Sequence, residues 1–142
     1  MNILILCTGN SARSILAEAI FNRLGKGKIQ AFSAGSKPAG IPNPFAIKLL
    51  ESKGYDVSDY RSKSWDEFAR NDAPKMDVVI TVCDNAANET CPVWPGAPTV
   101  LHWPFIDPAA ADGNDEDIAA VFHTVYEQIH DKATTYLATT TG

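Results

Sequence analysis

Apolar residues in this chain alternate between short unbroken runs and stripes of helical spacing. The run Ile3-Leu4-Ile5-Leu6 stops at Cys7-Thr8-Gly9-Asn10 and predicts a buried strand. Ile15, Leu16, Ala19, Ile20 and Leu24 then recur along one helix face, predicting a helix over residues 15–24. A second strand is expected over 28–34, closed by Gly35. A helix over 43–53 follows, with Pro44 in its first turn and Gly54 as its stop. Ser64 suits the cap of a short helix carrying Trp65 and Phe68. Residues 77–82 and 99–103 read as the third and fourth strands. The last helix is expected over 116–137, with Ile118, Val121, Phe122, Val125, Ile129 and Leu137 on one stripe and a frayed tail over 138–142.

Strands alternating with helices predict an α/β fold, with a parallel sheet between two layers of helices. Ligands of such sheets gather at the carboxyl ends of the strands. Cys7 follows the first strand, Cys83 the third, and Asp107 comes shortly after the fourth. All three are expected on one edge.

The chain has 142 residues, which suits one domain spanning 1–142. Its 12 basic and 17 acidic side chains give a net charge of −5 without a Lys/Arg run, so neither nucleic acid nor an anionic membrane is an expected partner. An anion must then be captured locally, by backbone amides and a placed cation. The run at residues 3–6 is too short for a span and lacks a signal peptide's basic flank, so a cytoplasmic location is expected. Three cysteines, Cys7, Cys83 and Cys91, form an odd set that argues against a permanent disulfide framework in a reducing compartment. They fit no common zinc spacing, and no metal is expected.

The segment Cys7-Thr8-Gly9-Asn10-Ser11-Ala12-Arg13-Ser14 joins a strand to a helix. A loop so placed aims several unpaired N–H groups into one concavity, a ready anion site. Gly9 and Asn10 tolerate the left-handed backbone such a nest needs. Arg13 offers a planar fork for two oxygens of a tetrahedral anion. The same positive field is expected to lower the pKa of Cys7, and Ser14 to hydrogen-bond the thiolate or the loop. Cys7 is thereby the candidate nucleophile.

This loop resembles the phosphate-binding loop of low-molecular-weight protein tyrosine phosphatases and of the arsenate reductases built on that fold. The resemblance extends to Phe32-Ser33-Ala34-Gly35, Asp107-Pro108 and the closing helix, and Ala12 departs from it where many relatives carry a second cysteine. It implies a four-stranded sheet of order 2-1-3-4, oxyanion binding by residues 8–14, attack by Cys7, and Asp107 as the acid that protonates the departing oxygen. The stretch from Val82-Cys83-Asp84 to Thr90-Cys91-Pro92 resembles the redox segment of thioredoxin-coupled arsenate reductases. The implied activity is reduction of arsenate to arsenite by a Cys7, Cys83, Cys91 relay, without an organic cofactor, recycled by thioredoxin or glutaredoxin, in a monomer.

With strands one and three adjacent, about 4.8 Å apart, Cys7 and Cys83 can approach disulfide distance. A helix over 83–91 would separate its terminal Cα atoms by about 12 Å, against the roughly 4.4–6.8 Å a disulfide tolerates, so a Cys83–Cys91 bond needs that segment to unwind. Asn10, Glu18 and Ser33 match positions that bind potassium in some related reductases. Lys63 stands where those relatives offer an acidic ligand, unless a shift brings in Asp66. That departure argues against a cation site and leaves room for an ammonium in its place. His102 reads as a structural strand-end residue, and Trp94 and Trp103 as core or site wall.

Two other functions remain open. A tyrosine phosphatase would share the first step, but no paired tyrosines follow Asp107-Pro108, since Tyr126 and Tyr136 fall in the last helix. A non-catalytic thiol redox sensor or oxyanion-binding regulator would switch Cys83–Cys91 without turnover.

Overall fold

The structure, a computed structural model, describes residues 1–83, 94 and 96–140. Four strands, β1 (Asn2–Leu6), β2 (Gln30–Ala34), β3 (Val78–Thr81) and β4 (Thr99–His102), form one parallel sheet of order β2-β1-β3-β4. Among the described residues the helices are α1 (Arg13–Leu24), α2 (Pro44–Ser52) and α3 (Asp115–Thr140), with 3-10 turns at Trp65–Phe68 and Pro108–Ala110. The α/β architecture and strand order agree with the sequence reading.

The unbroken apolar run of β1 is explained by burial on both faces. Ile3, Ile5 and Cys7 enter the larger core with Ile15, Leu16 and Ile20 of α1 and Phe122, Val125 and Ile129 of α3. Leu4 and Leu6 point the other way, into a smaller core with Phe68, Met76 and Trp94. Cys83 belongs to the same core as Cys7. The β1–β3 register aligns Leu6 with Thr81, and Val82 donates its amide to the Leu6 carbonyl, so the sheet delivers both thiols to one edge.

Several boundaries differ from the periodicity. Helix α1 starts two residues early, at Arg13, which brings the arginine onto the helix. Strand β2 starts two residues late, because the amides of Lys28 and Ile29 close a turn onto Gly25. Strands β3 and β4 are shorter than expected, and α2 loses a residue at each end. Residues 138–140, expected to fray, continue α3, whose final turns are anchored by buried Ala133 and Leu137. Asn114 and Asp117 start that helix by exchanging side-chain-to-amide bonds. Among the described residues no helix is long and apolar enough to cross a membrane.

Candidate active site

The loop leaving β1 is fixed by what its carbonyls do. Thr8, Gly9 and Ser11 accept hydrogen bonds from the amides of Lys37, Ala39 and Asn43, a strap that runs from Gly35 to the start of α2. Ser62 donates a further bond to the Gly9 carbonyl. With these carbonyls tied to the strap, the loop's own shape is held from outside the ligand. Gly35 starts the strap at a point where a Cβ would lie 2.3 Å from the Thr8 carbonyl oxygen and 2.5 Å from that of Cys7. Only glycine lets β2 pass this close to the loop.

At the other end the loop becomes α1 through Ala12, a residue that supplies no side-chain cap. An alanine there forgoes about 1 kcal/mol of helix stability. The first-turn amides are thereby left without a side-chain cap. Of the two residues expected in a left-handed conformation, only Asn10 adopts it, with φ +45°. Asn10 is fully buried; its amide nitrogen donates to Ser14 and Ser33, and its oxygen accepts from the Lys63 amide. Three hydrogen bonds at about 1 kcal/mol each outweigh the 1–2 kcal/mol of backbone strain. The side chain performs here what glycine does elsewhere, so Gly9 is not needed for it.

The resulting cavity, about 200 Å³, is lined by residues 7–13 together with Cys83, Asp107 and Ala109. Cys7 and Cys83 are both buried. Thr8 Oγ1 lies 3.8 Å from Cys83 Sγ. Arg13 borders the cavity with its Nη1 donating to the Phe105 carbonyl at 3.0 Å and its Nη2 3.7 Å from Asp107 Oδ2. Asp107 caps the following turn by accepting from the Ala109 amide. Ser14, expected at the anion, is buried beneath the loop and receives Asn10, away from the lining.

One electrostatic expectation is reversed. The Cys7 thiol is pushed up, not down, first by its hydrogen bond with the Cys83 side chain and then by burial. The Arg13 charge and the Gly9 amide pull it down without prevailing. A second thiol against the first favours the proton-bearing form, and the positive field does not outweigh it.

Behind the loop lies a buried polar cluster. The Ser33 hydroxyl, which receives Asn10, donates to Glu18 Oε1 at 2.6 Å, and Lys63 Nζ sits 3.7 Å from the same oxygen while donating to the Arg61 carbonyl. Burial pushes the Glu18 carboxyl up, and the Lys63 charge draws it back. Burial pushes the Lys63 ammonium down, and Glu18 opposes that shift. The lysine thus presents its ammonium to the carboxylate. Asp66 is instead exposed on the 3-10 turn, its amide capped by Ser64.

Residues 2–141 match the low molecular weight phosphotyrosine protein phosphatase family. The chain belongs to that family. It is 37% identical to an arsenate reductase of Halalkalibacterium halodurans over 137 residues, covering 96% of this chain and 95% of the relative. It is 38% identical to an arsenate reductase of Bacillus subtilis, covering 89% and 88%. A solved structure described as an arsenate reductase in an oxidized state superposes with a TM-score of 0.76 at 29% identity, over 97% of both chains.

In this phosphatase-family chain the sequence-chosen residues Cys7, Arg13, Cys83 and Asp107 therefore meet at one cavity. Cys91 lies outside the described residues. Trp94 and Trp103 are buried, Trp103 stacking on Phe21, and His102 ends β4 with its Nδ1 2.7 Å from the Thr81 hydroxyl. Sequence reasoning missed Ala109, the Phe105 carbonyl and the strap over 36–43. The glycine- and proline-rich composition of that strap was the available signal, since backbone donors leave no other trace.

Proposed function

We propose that this protein reduces arsenate to arsenite in a reducing cytoplasm, as an arsenic-detoxifying enzyme working through its own thiols. The observation that carries the reading is the Cys83 thiol buried beside Cys7 in the oxyanion cavity. A phosphatase needs only water for its second step; a reductase needs a second sulfur within reach of the first.

Arsenate docks on the amides of residues 8–13 and on the Arg13 guanidinium. The bound dianion accepts the Cys7 proton, and the thiolate attacks arsenic while Asp107 protonates the departing oxygen, which leaves as water. The Cys83 thiolate then attacks Cys7 Sγ: an S–S bond forms, the S–As bond breaks, and its electron pair stays on arsenic as arsenite leaves. Cys91 attacks Cys83, giving a Cys83–Cys91 disulfide and freeing Cys7. A dithiol of the thioredoxin or glutaredoxin class reduces that disulfide by exchange. No metal or organic cofactor has a part in this sequence.

The test is arsenite release with thioredoxin and its reductase. Wild type should turn over many times, while Cys83→Ser and Cys91→Ser should not. Turnover by both variants at the wild-type rate would remove the relay. Brisk aryl phosphate hydrolysis without arsenite would instead establish a phosphatase. Cys83–Cys91 oxidation without turnover would establish a sensor.

A further inference from the structure

We propose that the Lys63 ammonium is a built-in monovalent cation that positions the oxyanion loop through Glu18, Ser33 and Asn10, and that the protein consequently needs no alkali ion there. The proposal deepens the oxyanion-binding reading of the same site and rests on it. A carboxylate as buried as Glu18 needs a positive partner. Lys63 supplies it from a side chain that is itself almost fully buried, 3.7 Å away.

The contacts connect in one direction. The Lys63 ammonium favours the ionised form of Glu18, whose Oε1 accepts the Ser33 proton at 2.6 Å. That orients the Ser33 oxygen lone pairs toward the Asn10 amide, which donates to it at 2.9 Å. Asn10 Oδ1 then accepts from the Lys63 backbone amide at 2.9 Å, closing the circuit on the residue that began it. The residue so clamped is the left-handed one, with φ +45°, and its conformation decides where the neighbouring amides point. None of these side chains lines the cavity except Asn10, so Lys63 is a positioning residue and not a catalytic one.

The experiment measures binding of inorganic phosphate and of arsenate to the full reduced chain by calorimetry, at constant ionic strength in tetramethylammonium, potassium or caesium chloride. Wild type should bind equally in all three. Lys63→Ala should bind about tenfold more weakly in tetramethylammonium, and potassium should restore the affinity saturably by occupying the space beside Glu18. The double variant Glu18→Gln/Lys63→Met, which removes both charges, should fold and be indifferent to potassium. A saturable potassium response in wild type would overturn the proposal, and that measurement needs no variant. So would wild-type affinity of Lys63→Ala in tetramethylammonium, or a loss that no alkali ion repairs. Failure of wild type to bind either oxyanion in any salt would instead sink the underlying site reading.

Discussion

Two ion pairs flank the oxyanion loop at the same separation. Arg13 and Asp107 lie 3.7 Å apart at the mouth, with side-chain exposures of 15% and 45%. Lys63 and Glu18 lie 3.7 Å apart behind the loop, with exposures of 8% and 14%. Distance does not distinguish them; solvent does. At the mouth, water screens the pair and leaves both groups available to a substrate. At the rear, the charges are committed to one another, and their use is to hold Asn10. The front pair is therefore a chemical device and the rear pair a mechanical one, which substitutions should separate.

Arg13→Ala should produce the largest effect, lowering arsenite formation about a thousandfold in steady-state assays through loss of charge stabilisation at the anion. Urea unfolding of the same variant should change by only about 1 kcal/mol. Lys63→Met should reverse that balance, costing about 3 kcal/mol in urea unfolding because Glu18 is left buried and unpaired. Adding Glu18→Gln to it should recover most of the loss; additive losses in the double variant would show the two side chains to be uncoupled. Asp107→Asn should reduce turnover about a hundredfold with oxyanion binding retained, as expected of an acid rather than a ligand. A matching loss of binding would make Asp107 a ligand instead.

The smallest effect is a pH shift. In a Cys91→Ala background, Cys7 is expected to react with neutral iodoacetamide only above the ordinary thiol range, since its hydrogen bond with Cys83 and its burial hold the proton on. Cys83→Ala deletes the first of these causes and should move the alkylation profile to lower pH. An unmoved profile would leave burial as the whole cause.

The sheet was legible because each strand announced itself by an apolar run and each helix by its stripe, and parallel topology then forced Cys7, Cys83 and Asp107 to one edge. The loop was legible because Cys7, Arg13 and their place between strand and helix are local in the chain. What stayed hidden depends on residues remote in sequence. The strap donates backbone amides, which any residue type but proline could supply. The rise in the Cys7 pKa comes first from the thiol of Cys83, just past another strand, and then from burial. Resemblance brought Lys63 and Glu18 together as candidates, but only packing shows the ammonium seated against the carboxylate.

The outward-tied carbonyls of Thr8, Gly9 and Ser11 have a consequence for discrimination. Because the strap rather than the ligand sets the loop's shape, the nest is preorganised for any tetrahedral dianion of suitable size. Phosphate and arsenate present nearly the same outline to such a nest, so phosphate should compete for it on comparable terms. Selectivity then cannot reside in recognition. On the proposed mechanism it arises at the later step in which sulfur gives two electrons to arsenic, a transfer that phosphorus does not accept. On that mechanism phosphate should be bound and released unchanged, while arsenate alone is carried forward.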